Sequence, residues 1–579
     1  MACRKTLIAT NLESTAMDLP HHAHNFISDG TNLTPDDVVR IARSPRQGDM
    51  KGFAFTAGMS PDAQRRVERS RAVVDDIVAR GDVVYGITTG FGAFKDRVIS
   101  HKDLAELQVN LILSQCVGVG PALPAEVVRA MMLCRAHTLS LGYSGIRLQT
   151  LNLLYDMLNA GVHPYVPEQG SVGASGDLAP LSHSALVMMG RGQAEWRGGY
   201  MPASEALRGA GLAPVVLGPK EGLALSNGTS LMSALLSLAL VDAAMLCETA
   251  DVIGAMSLEA LQGLPAAFDP RIHAARGQRG QITSAARIRQ SVEGSTLLWH
   301  DTPGDGTGKA VAGKVQDAYA LRCMPQVHGP VRDAVEYVNN TLTIELNGAN
   351  DNPLIFPNSE SSIPNSELEA PQIQNSEFKI HNSVLSGGNF HGAPLSVAAD
   401  FLGIAVCQLG TISERRQARL VDVSAHGGLF PAFLIEQGGL NSGFMMVQYT
   451  SAALASENKS LAHPASVDTI PTSANVEDHV SMGPIAARHA RAIVANTTRI
   501  LVLEAMMAAQ AIDFRLRSNP QARMGRGTAA AYELIRERLP FLEKDVDFQP
   551  YIAAVEELVV SGQLASIVAA QSPSEQSSV

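Results

Sequence analysis

The feature that most constrains the fold is an apolar stretch over residues 230–262. Its side chains would be apolar on nearly every face of a helix, and such a helix is stable only when other helices surround it. Leu, Ala, Met and Val are abundant along the rest of the 579-residue chain, which favours helices over sheets. A second long helix is predicted over residues 485–517. We therefore expect a helix-rich protein whose longest apolar helix lies deep in a bundle.

Charge and cysteine usage narrow the class of protein. The formal net charge of −11 disfavours nucleic acid or an anionic membrane surface as the main partner. Six cysteines are widely separated without a Cys-x-x-Cys pair, which is typical of reduced thiols and not of a disulfide framework or a zinc site. Residues 1–29 lack the apolar segment of a signal peptide, and the apolar window 231–245 is short for a membrane span. These observations predict a soluble cytoplasmic enzyme.

A run of small residues opens segment 170–183, the most informative short stretch of the chain. It has three glycines in its first seven positions and continues as an apolar segment over residues 178–189. Asp177 is the expected N-cap of that helix, and Pro180 lies in its first turn. Free N–H groups and the helix dipole at such a terminus stabilise negative charge. An ordinary flexible turn is the common alternative for a bare Gly-Ala-Ser-Gly sequence.

The complete segment 170–183 resembles the signature of the aromatic amino-acid ammonia-lyases and aminomutases. In that family an Ala-Ser-Gly sequence cyclises to 4-methylidene-imidazol-5-one (MIO). The resemblance implies that the Gly176 nitrogen attacks the Ala174 carbonyl and that Ser175 loses water to leave a methylidene. Since no ordinary side chain is an electrophile, this group would supply one without an external cofactor or metal.

Further motifs follow in the order that they have in the family. Residues 83–92 match its Tyr-Gly-x-x-Thr-Gly-Phe-Gly loop, which assigns Tyr85 the role of catalytic base, and they meet neither phosphate-loop pattern. Residues 223–229 match the next motif, in which Asn227 contacts the substrate and MIO. By the same resemblance Phe390 would line the pocket, and Glu457 would face the amino group or the ring of the substrate.

Residues 316–323 carry another family motif, which assigns Gln316 and Tyr319 to the active site. Tyr319 and Arg322 are three positions apart, so a helix places them on one face. Arg322 would hold the substrate carboxylate with its planar guanidinium group. Taken alone, an arginine in a surface ion pair would be the commoner explanation.

The family selects the substrate ring with a pair of residues that falls on Ser114 and Gln115. Histidine lyases carry Ser-His at this pair, so Gln115 replaces the histidine that binds imidazole. A glutamine can donate and accept hydrogen bonds but cannot titrate as histidine does. Residues 453–459 and 463–468 closely resemble histidine lyases, whereas Val476 stands where the family has glutamine.

The resemblance covers residues 30–560 and implies a mainly α, histidine/phenylalanine ammonia-lyase-like fold with a long central helical bundle. It implies elimination of ammonia from an aromatic L-amino acid, first of all L-histidine to trans-urocanate. A phenylalanine or tyrosine lyase or a 2,3-aminomutase is the first alternative, because of Gln115 and Val476. An inactive paralogue with a structural role is the second. Family members assemble as homotetramers whose active sites combine three chains, and no nucleic-acid or membrane partner is expected.

The predicted organisation has two domains between short tails. We expect a disordered tail over residues 1–30, a MIO-bearing domain over 31–229, a helical bundle domain over 230–570 and a second tail over 571–579. Asn-Ser-Glu recurs at 358, 365 and 375, which indicates an inserted polar loop over residues 357–384. Histidines 21, 22 and 24 are expected to be solvated, so no metal site is predicted.

Overall fold

The computed structural model describes residues 24–44, 55–299, 314–357 and 383–570. Up to residue 229, the described strands are β1 (His24–Ser28), β2 (Phe55–Met59), β3 (Val119–Ala122), β4 (His163–Pro164), β5 (Pro167–Gln169), β6 (Gln193–Trp196) and β7 (Gly199–Pro202). The helices of this part are α1 (Pro35–Ala42), α2 (Pro61–Arg80), α3 (Leu104–Gln115), α4 (Ala125–Ser140), α5 (Leu148–Ala160), α6 (Leu178–Met188), α7 (Ala203–Gly209) and α8 (Glu221–Ser226).

The regular structure of the remaining described residues is mainly helical. Their helices are α9 (Ser230–Ala260), α10 (Pro270–Arg276), α11 (Arg279–Ser291), α12 (Tyr319–Arg322), α13 (Met324–Leu346), α14 (Ala393–Val421), α15 (Val423–His426), α16 (Met445–Leu461), α17 (Gly483–Ser518), α18 (Arg526–Arg538), α19 (Gln549–Val560) and α20 (Gln563–Ala570). Two short strands, β8 (Leu354–Ile355) and β9 (Val384–Leu385), form an antiparallel pair. The prediction of a mainly α fold is confirmed.

Helix α9 lies at the centre of the molecule, packed against α4, α13, α14 and α17. It is buried along nearly its whole length; Leu235, Leu236 and Ile253, for example, are no more than 1% exposed. The predicted deep burial of this helix is therefore confirmed, and its end at Ala260 lies two residues before the predicted one.

A buried ion pair joins three of the central helices. Arg416 of α14 donates to both carboxylate oxygens of Glu504 of α17, at 2.6 and 2.8 Å, and both side chains are fully buried. Ser257 of α9 donates to the same carboxylate at 2.6 Å. Every oxygen of the carboxylate is thus hydrogen-bonded, which offsets the cost of removing the pair from water.

Three helices, α9, α14 and α17, are long and apolar enough to cross a membrane by length and composition alone. In their most apolar windows, 78%, 67% and 83% of the residues are buried inside the protein. The prediction that the apolar window in α9 is too short for a span is therefore wrong, because the helix runs for 31 residues. Burial against neighbouring helices is the reason that it forms a core.

The N-terminal residues differ from the expected irregular tail. His24–Ser28 forms β1, which pairs in parallel with β2, and Ser60 donates its backbone N–H to Ser28. Thr34 is the N-cap of helix α1, and Thr34 and Asp37 cap each other reciprocally. Residues 1–23, with two of the three histidines discussed above, lie outside the described residues.

The structure adds detail at the last helices and at the expected insert. Helices α19 and α20 are separated at Gly562, whose φ of +76° is a left-handed conformation that glycine adopts at low cost. Strands β8 and β9 bring residues 355 and 384 together, so the expected insert leaves and rejoins the fold at one place. Residues 358–382 of that insert lie outside the described residues.

Candidate active site

The small-residue loop makes a sharp turn over residues 173–176. Ser175 and Gly176 have φ angles of +51° and +82°, and the Gly176 N–H donates to the Gly173 carbonyl at 3.3 Å. A Cβ atom added to Gly176 would lie 2.2 Å from the carbonyl oxygen of Gly228, which is a forbidden contact. Only glycine therefore fits at 176, and its nitrogen is folded back toward the start of the turn.

Backbone hydrogen bonds fasten this turn to the segment that carries Asn227. The Gly228 N–H donates to the Ser175 carbonyl at 3.2 Å, and the Asp177 N–H donates to the Gly228 carbonyl at 2.7 Å. Two motifs that are separate in the sequence thus run side by side. This pairing explains why both are rich in small residues.

Asp177 precedes α6 as expected but does not cap it. Its Oδ2 accepts the backbone N–H groups of Leu231 and Met232 at 2.7 and 3.1 Å, at the beginning of α9. Burial raises the pKa of Asp177 to about 7, opposed by those two N–H groups and by Arg135. The carboxyl group therefore ties the N-terminus of α9 to the turn instead of stabilising its own helix.

A cavity of about 640 Å³ opens beside the turn. It brings together five of the predicted residues, namely Tyr85, Ser114, Gln115, Ser175 and Asn227. Ala174 and Gly176 flank Ser175 in the chain. The cavity is further lined by Gly90, Phe91, Gly92, Phe94, Arg97, Ile99, Leu107, Asn110, Leu111, Leu178, Leu223, Ser473 and Glu477.

Tyr85 reaches the cavity from the loop that follows α2. Thr88 fixes this loop, because its hydroxyl accepts from the Val84 N–H at 2.9 Å and donates to the Asp82 carbonyl at 2.7 Å. Burial raises the pKa of Tyr85, a hydrogen bond from the Gly92 backbone lowers it, and the charge of Glu477 raises it; the net direction is upward. The phenol is therefore protonated at neutral pH in the single chain.

The two ring-selecting residues end helix α3. The Ser114 hydroxyl donates to the Leu111 carbonyl at 2.8 Å, so its proton is already used within the helix. The Gln115 side-chain oxygen accepts a hydrogen bond from the Ser182 hydroxyl of α6 at 2.8 Å. The contact with Ser182 was not anticipated from the sequence.

Asn227 and Ser175 offer polar atoms to the cavity. Asn227 is 4% exposed, and its side-chain oxygen has no hydrogen-bond partner among the described residues. An unpaired buried acceptor is costly unless a ligand supplies a donor. The Ser175 hydroxyl donates to Glu477 at 3.0 Å, and the other oxygen of that carboxylate accepts from Thr472 at 3.1 Å.

The structure does not bring the other five predicted residues into this cavity. Arg322 contacts Gln316, and its guanidinium carbon lies 4.8 Å from the centre of the Tyr319 ring, so these three form a separate group. Tyr319 is 68% exposed. Phe390 is half-buried and Glu457 is exposed, and neither lines the cavity.

Sequence reasoning missed several cavity residues. Glu477 follows Val476 directly, but only Glu477 lines the cavity, whereas Val476 is 49% exposed. Arg97 and Asn110 lie outside every motif considered above, although Asn110 precedes Ser114 by one helical turn on α3 and so shares its face. That spacing was the one available signal for Asn110.

Metal-ligating side chains do not converge within the described ranges, where no group of three or more His, Cys, Asp or Glu could hold an ion. The absence of a metal from the reaction stays a prediction.

Cys134, Cys247 and Cys407 are buried free thiols. Burial raises the pKa of the Cys134 and Cys247 thiols above their ordinary value, which keeps them protonated and unreactive.

Comparison with known proteins identifies the family of the chain. Residues 33–537 match the family described as aromatic amino acid lyase. Histidine ammonia-lyase of Chloroflexus aurantiacus is 50% identical over 544 residues, which cover 94% of this chain and 98% of that protein. The crystal structure of histidine ammonia-lyase from Trypanosoma cruzi superposes with a TM-score of 0.81 at 40% identity and covers 95% of this chain and 96% of that one.

A tyrosine aminomutase from Streptomyces globisporus superposes equally well, with a TM-score of 0.82 at 32% identity over 94% of this chain and 99% of that one. The shared fold thus extends across members named as lyases and members named as aminomutases. The predictions of family and of enzyme class, a carbon–nitrogen lyase, are confirmed. The chain belongs to the aromatic amino acid lyase family.

Proposed function

We propose that the protein is a histidine ammonia-lyase, which eliminates ammonia from L-histidine without oxidation and releases trans-urocanate. The observation that carries the proposal is the cavity in which Ser175 meets Tyr85, Asn227 and the ring-selecting pair. The chain around this cavity is about half identical to proteins named histidine ammonia-lyase over nearly its full length. We place the enzyme in the cytoplasm as a soluble protein.

We further propose that residues 174–176 cyclise to MIO. The turn is suited to ring closure, because the Gly176 nitrogen is held back against the turn and position 176 admits no side chain. In forming the ring, the Gly176 nitrogen bonds to the Ala174 carbonyl carbon and one water leaves; Ser175 loses its hydroxyl and Cα proton as a second water. The group supplies an electrophile that no ordinary side chain provides.

Residues of the cavity then position the substrate and move its proton. Tyr85 takes the β-proton of the substrate, and this role requires the phenolate form. The unpaired oxygen of Asn227 is suited to accept a hydrogen bond from the substrate. Gln115 contacts the ring from the end of α3, with Ser114 beside it. Leu107, Leu111 and Leu223 exclude water from the apolar part of the ring.

The five residues outside the cavity are assigned to neighbouring subunits. We propose a homotetramer in which each active site combines three chains. One chain provides the cavity, and neighbouring chains complete it with Arg322 and Tyr319 and with Phe390 and Glu457. The exposure of Tyr319 and Glu457 in the single chain supports this assignment. Arg322 would hold the substrate carboxylate, and its positive charge near Tyr85 would favour the phenolate. Gln316 contacts Arg322 and would orient it.

The two alternatives receive less support. Gln115 and Val476 are the two departures that favour a different ring substrate or a 2,3-aminomutase. Val476, however, does not line the cavity. An inactive paralogue is disfavoured, because Tyr85, Ser175 and Asn227 are not only retained but converge on one cavity.

The test is the ultraviolet spectrum of the purified protein incubated separately with L-histidine, L-phenylalanine and L-tyrosine. Urocanate from L-histidine alone is the expected result, and cinnamate or coumarate as the main product would contradict the proposal. The Ser175→Ala variant serves as the inactive control. Intact-mass measurement checks MIO separately: the wild-type chain should be lighter than its sequence mass by two water molecules, and the variant should not be.

A further inference from the structure

A hydrogen bond behind the cavity wall connects two helices that meet at the substrate ring. Ser182 is fully buried in α6 and does not line the cavity. Its hydroxyl donates to the side-chain oxygen of Gln115, at the end of α3, over 2.8 Å. Ser182 is therefore one layer removed from the cavity, and Gln115 lies between them.

This bond decides which end of the Gln115 amide faces the substrate. An amide presents either an oxygen, which accepts, or an NH₂ group, which donates. The oxygen is already bonded to Ser182, while the nitrogen makes no hydrogen bond among the described residues. Turning the amide over would make the fully buried Ser182 hydroxyl the acceptor of the bond, and its proton would then lose the only side-chain acceptor that it has among the described residues.

We propose that Ser182 is a positioning residue that holds the Gln115 amide with its NH₂ group toward the substrate. The cavity then selects a ring with an unprotonated acceptor nitrogen, which the neutral imidazole of L-histidine has and its protonated form lacks. The inference rests on the proposed function, because it names how the ring of that substrate is recognised. Ser114 does not compete as a donor, since its own proton is bonded to Leu111.

A distinctive pH dependence follows. Wild-type kcat/KM for L-histidine should fall below about pH 6.5, where the substrate ring gains its proton. Without Ser182 the amide can turn and offer its oxygen to the protonated ring, so this acidic fall should become shallower. A loss of packing alone would lower kcat/KM without changing the shape of the profile.

Other ionisable groups near Gln115 do not mimic this effect. Tyr85, Arg97 and Glu477 face the cavity, and Cys116 and His183 lie beside Gln115 and Ser182 in the chain. Burial raises the pKa of Tyr85, raises that of Cys116 to about 12, and lowers that of His183, whose Nε2 accepts from the Gly118 N–H. These groups are moreover present in every variant compared, so a difference between variants reports on the amide.

The experiment compares wild type with Ser182→Ala, Ser182→Thr and Ser184→Ala. Ser184 is a matched control, because it lies on the same helix, is 5% exposed and makes no side-chain hydrogen bond among the described residues. Ser182→Ala should lower kcat/KM for L-histidine about tenfold near pH 8, as expected for one lost orienting hydrogen bond, and flatten the acidic limb. Ser182→Thr, which keeps the hydroxyl, and Ser184→Ala should both keep the wild-type profile.

Binding provides a readout that needs no turnover. In the Ser175→Ala background, calorimetry should show weaker L-histidine binding when Ser182→Ala is added, with a smaller change between about pH 6 and pH 8. An unchanged profile in both measurements, or equal losses in Ser182→Ala and Ser184→Ala, would overturn the inference.

Failure of the proposed function gives a different result. Wild-type enzyme would then act on another aromatic amino acid and not on L-histidine. In that case Ser182→Ala, and not Ser184→Ala, must still change the ratio of kcat/KM values among the ring substrates. A constant ratio would reject the role of Ser182 as well.

Discussion

At the scale of single residues, the cavity departs from the family pattern at Gln115. The resemblance to histidine lyases predicts an imidazole there, whereas this chain has an amide whose oxygen is bonded to Ser182. Tyr85 matches the family pattern, yet its surroundings in the single chain raise its pKa. These two residues lead to separate predictions.

Replacement of Gln115 by histidine should raise kcat/KM for L-histidine about tenfold, because it restores the imidazole that histidine lyases are expected to carry here and that, unlike an amide, can exchange a proton with the substrate ring. Steady-state kinetics with L-histidine measure the effect. Gln115→Leu is the control, since it keeps the volume, removes both polar ends and should lower kcat/KM. Unchanged or reduced kcat/KM in Gln115→His would contradict the prediction that glutamine at this position serves L-histidine less well than histidine does.

Tyr85→Phe should reduce kcat by about 10²- to 10⁴-fold, because it removes the proposed base and leaves the ring in place. Wild-type kcat should rise with pH, since the phenol must lose its proton and burial places its pKa above the ordinary value. A pH series of initial rates tests both statements. A Tyr85→Phe variant that retains more than a tenth of the wild-type kcat would rule out the base.

At the scale of elements, the site is a junction between helix ends. The N-termini of α6 and α9 and the C-terminus of α3 meet around the turn, and Asp177 bridges the first two. Because Asp177 is buried with only one of its two oxygens bonded, the junction is sensitive to the charge of that carboxyl group.

As pH rises from about 4 to about 7, ionisation of Asp177 should lower the free energy of unfolding. Its pKa rises from an ordinary value of 3.8 to about 7, so within this window the folded state holds a proton that the unfolded state has released. The free energy of unfolding therefore falls as pH rises, by up to about 1.4 kcal/mol per pH unit, and is flat with respect to this group outside the window.

Asp177→Asn should remove this contribution, because the amide oxygen still accepts from Leu231 and Met232 and carries no charge. Thermal midpoints at fixed protein concentration measure it, with Ser175→Ala in both proteins so that neither can form MIO. Asp62→Asn, at an exposed carboxylate, is the control. Parallel pH curves for the proteins with and without the Asp177→Asn substitution would contradict the assignment of the pKa.

At the scale of the whole molecule, the predicted site residues of a single chain form two separate groups. One group lines the cavity, and the other, around Arg322, lies on a separate surface. The proposed tetramer unites them. The division of the chain into residues 31–229 and 230–570 stays a prediction, although α9 packs against helices from both parts.

Two inactive variants should restore each other if the sites are shared. Ser175→Ala and Arg322→Ala are each expected to lose nearly all activity as homotetramers. Co-expression of the two with different tags, followed by sequential purification of mixed tetramers, should recover a fraction of wild-type activity, because some cavities then combine an intact Ser175 with an intact Arg322 from another chain. Mixed tetramers as inactive as either parent would refute the sharing.

Much of the structure could be predicted from local signals. The cap at Thr34, the apolar pattern of α9 and the turn before α6 each depend on neighbouring residues, which the sequence displays directly. The family resemblance added expected roles for Tyr85 and Asn227, and both residues line the cavity. The sequence by itself thus determined the helical class, the position of the turn and the identity of the family.

Tertiary structure alone decided which side chains meet. Ser175 and Glu477 are 302 positions apart, and Gln115 and Ser182 are 67 apart, so no periodicity or cap connects either pair. Asp177 was expected to cap its own helix, but the packing of α6 on α9 offered stronger partners in two free N–H groups. Hydrogen bonds of this kind depend on how the long helices pack, and for that reason the sequence could name the motifs but not their contacts.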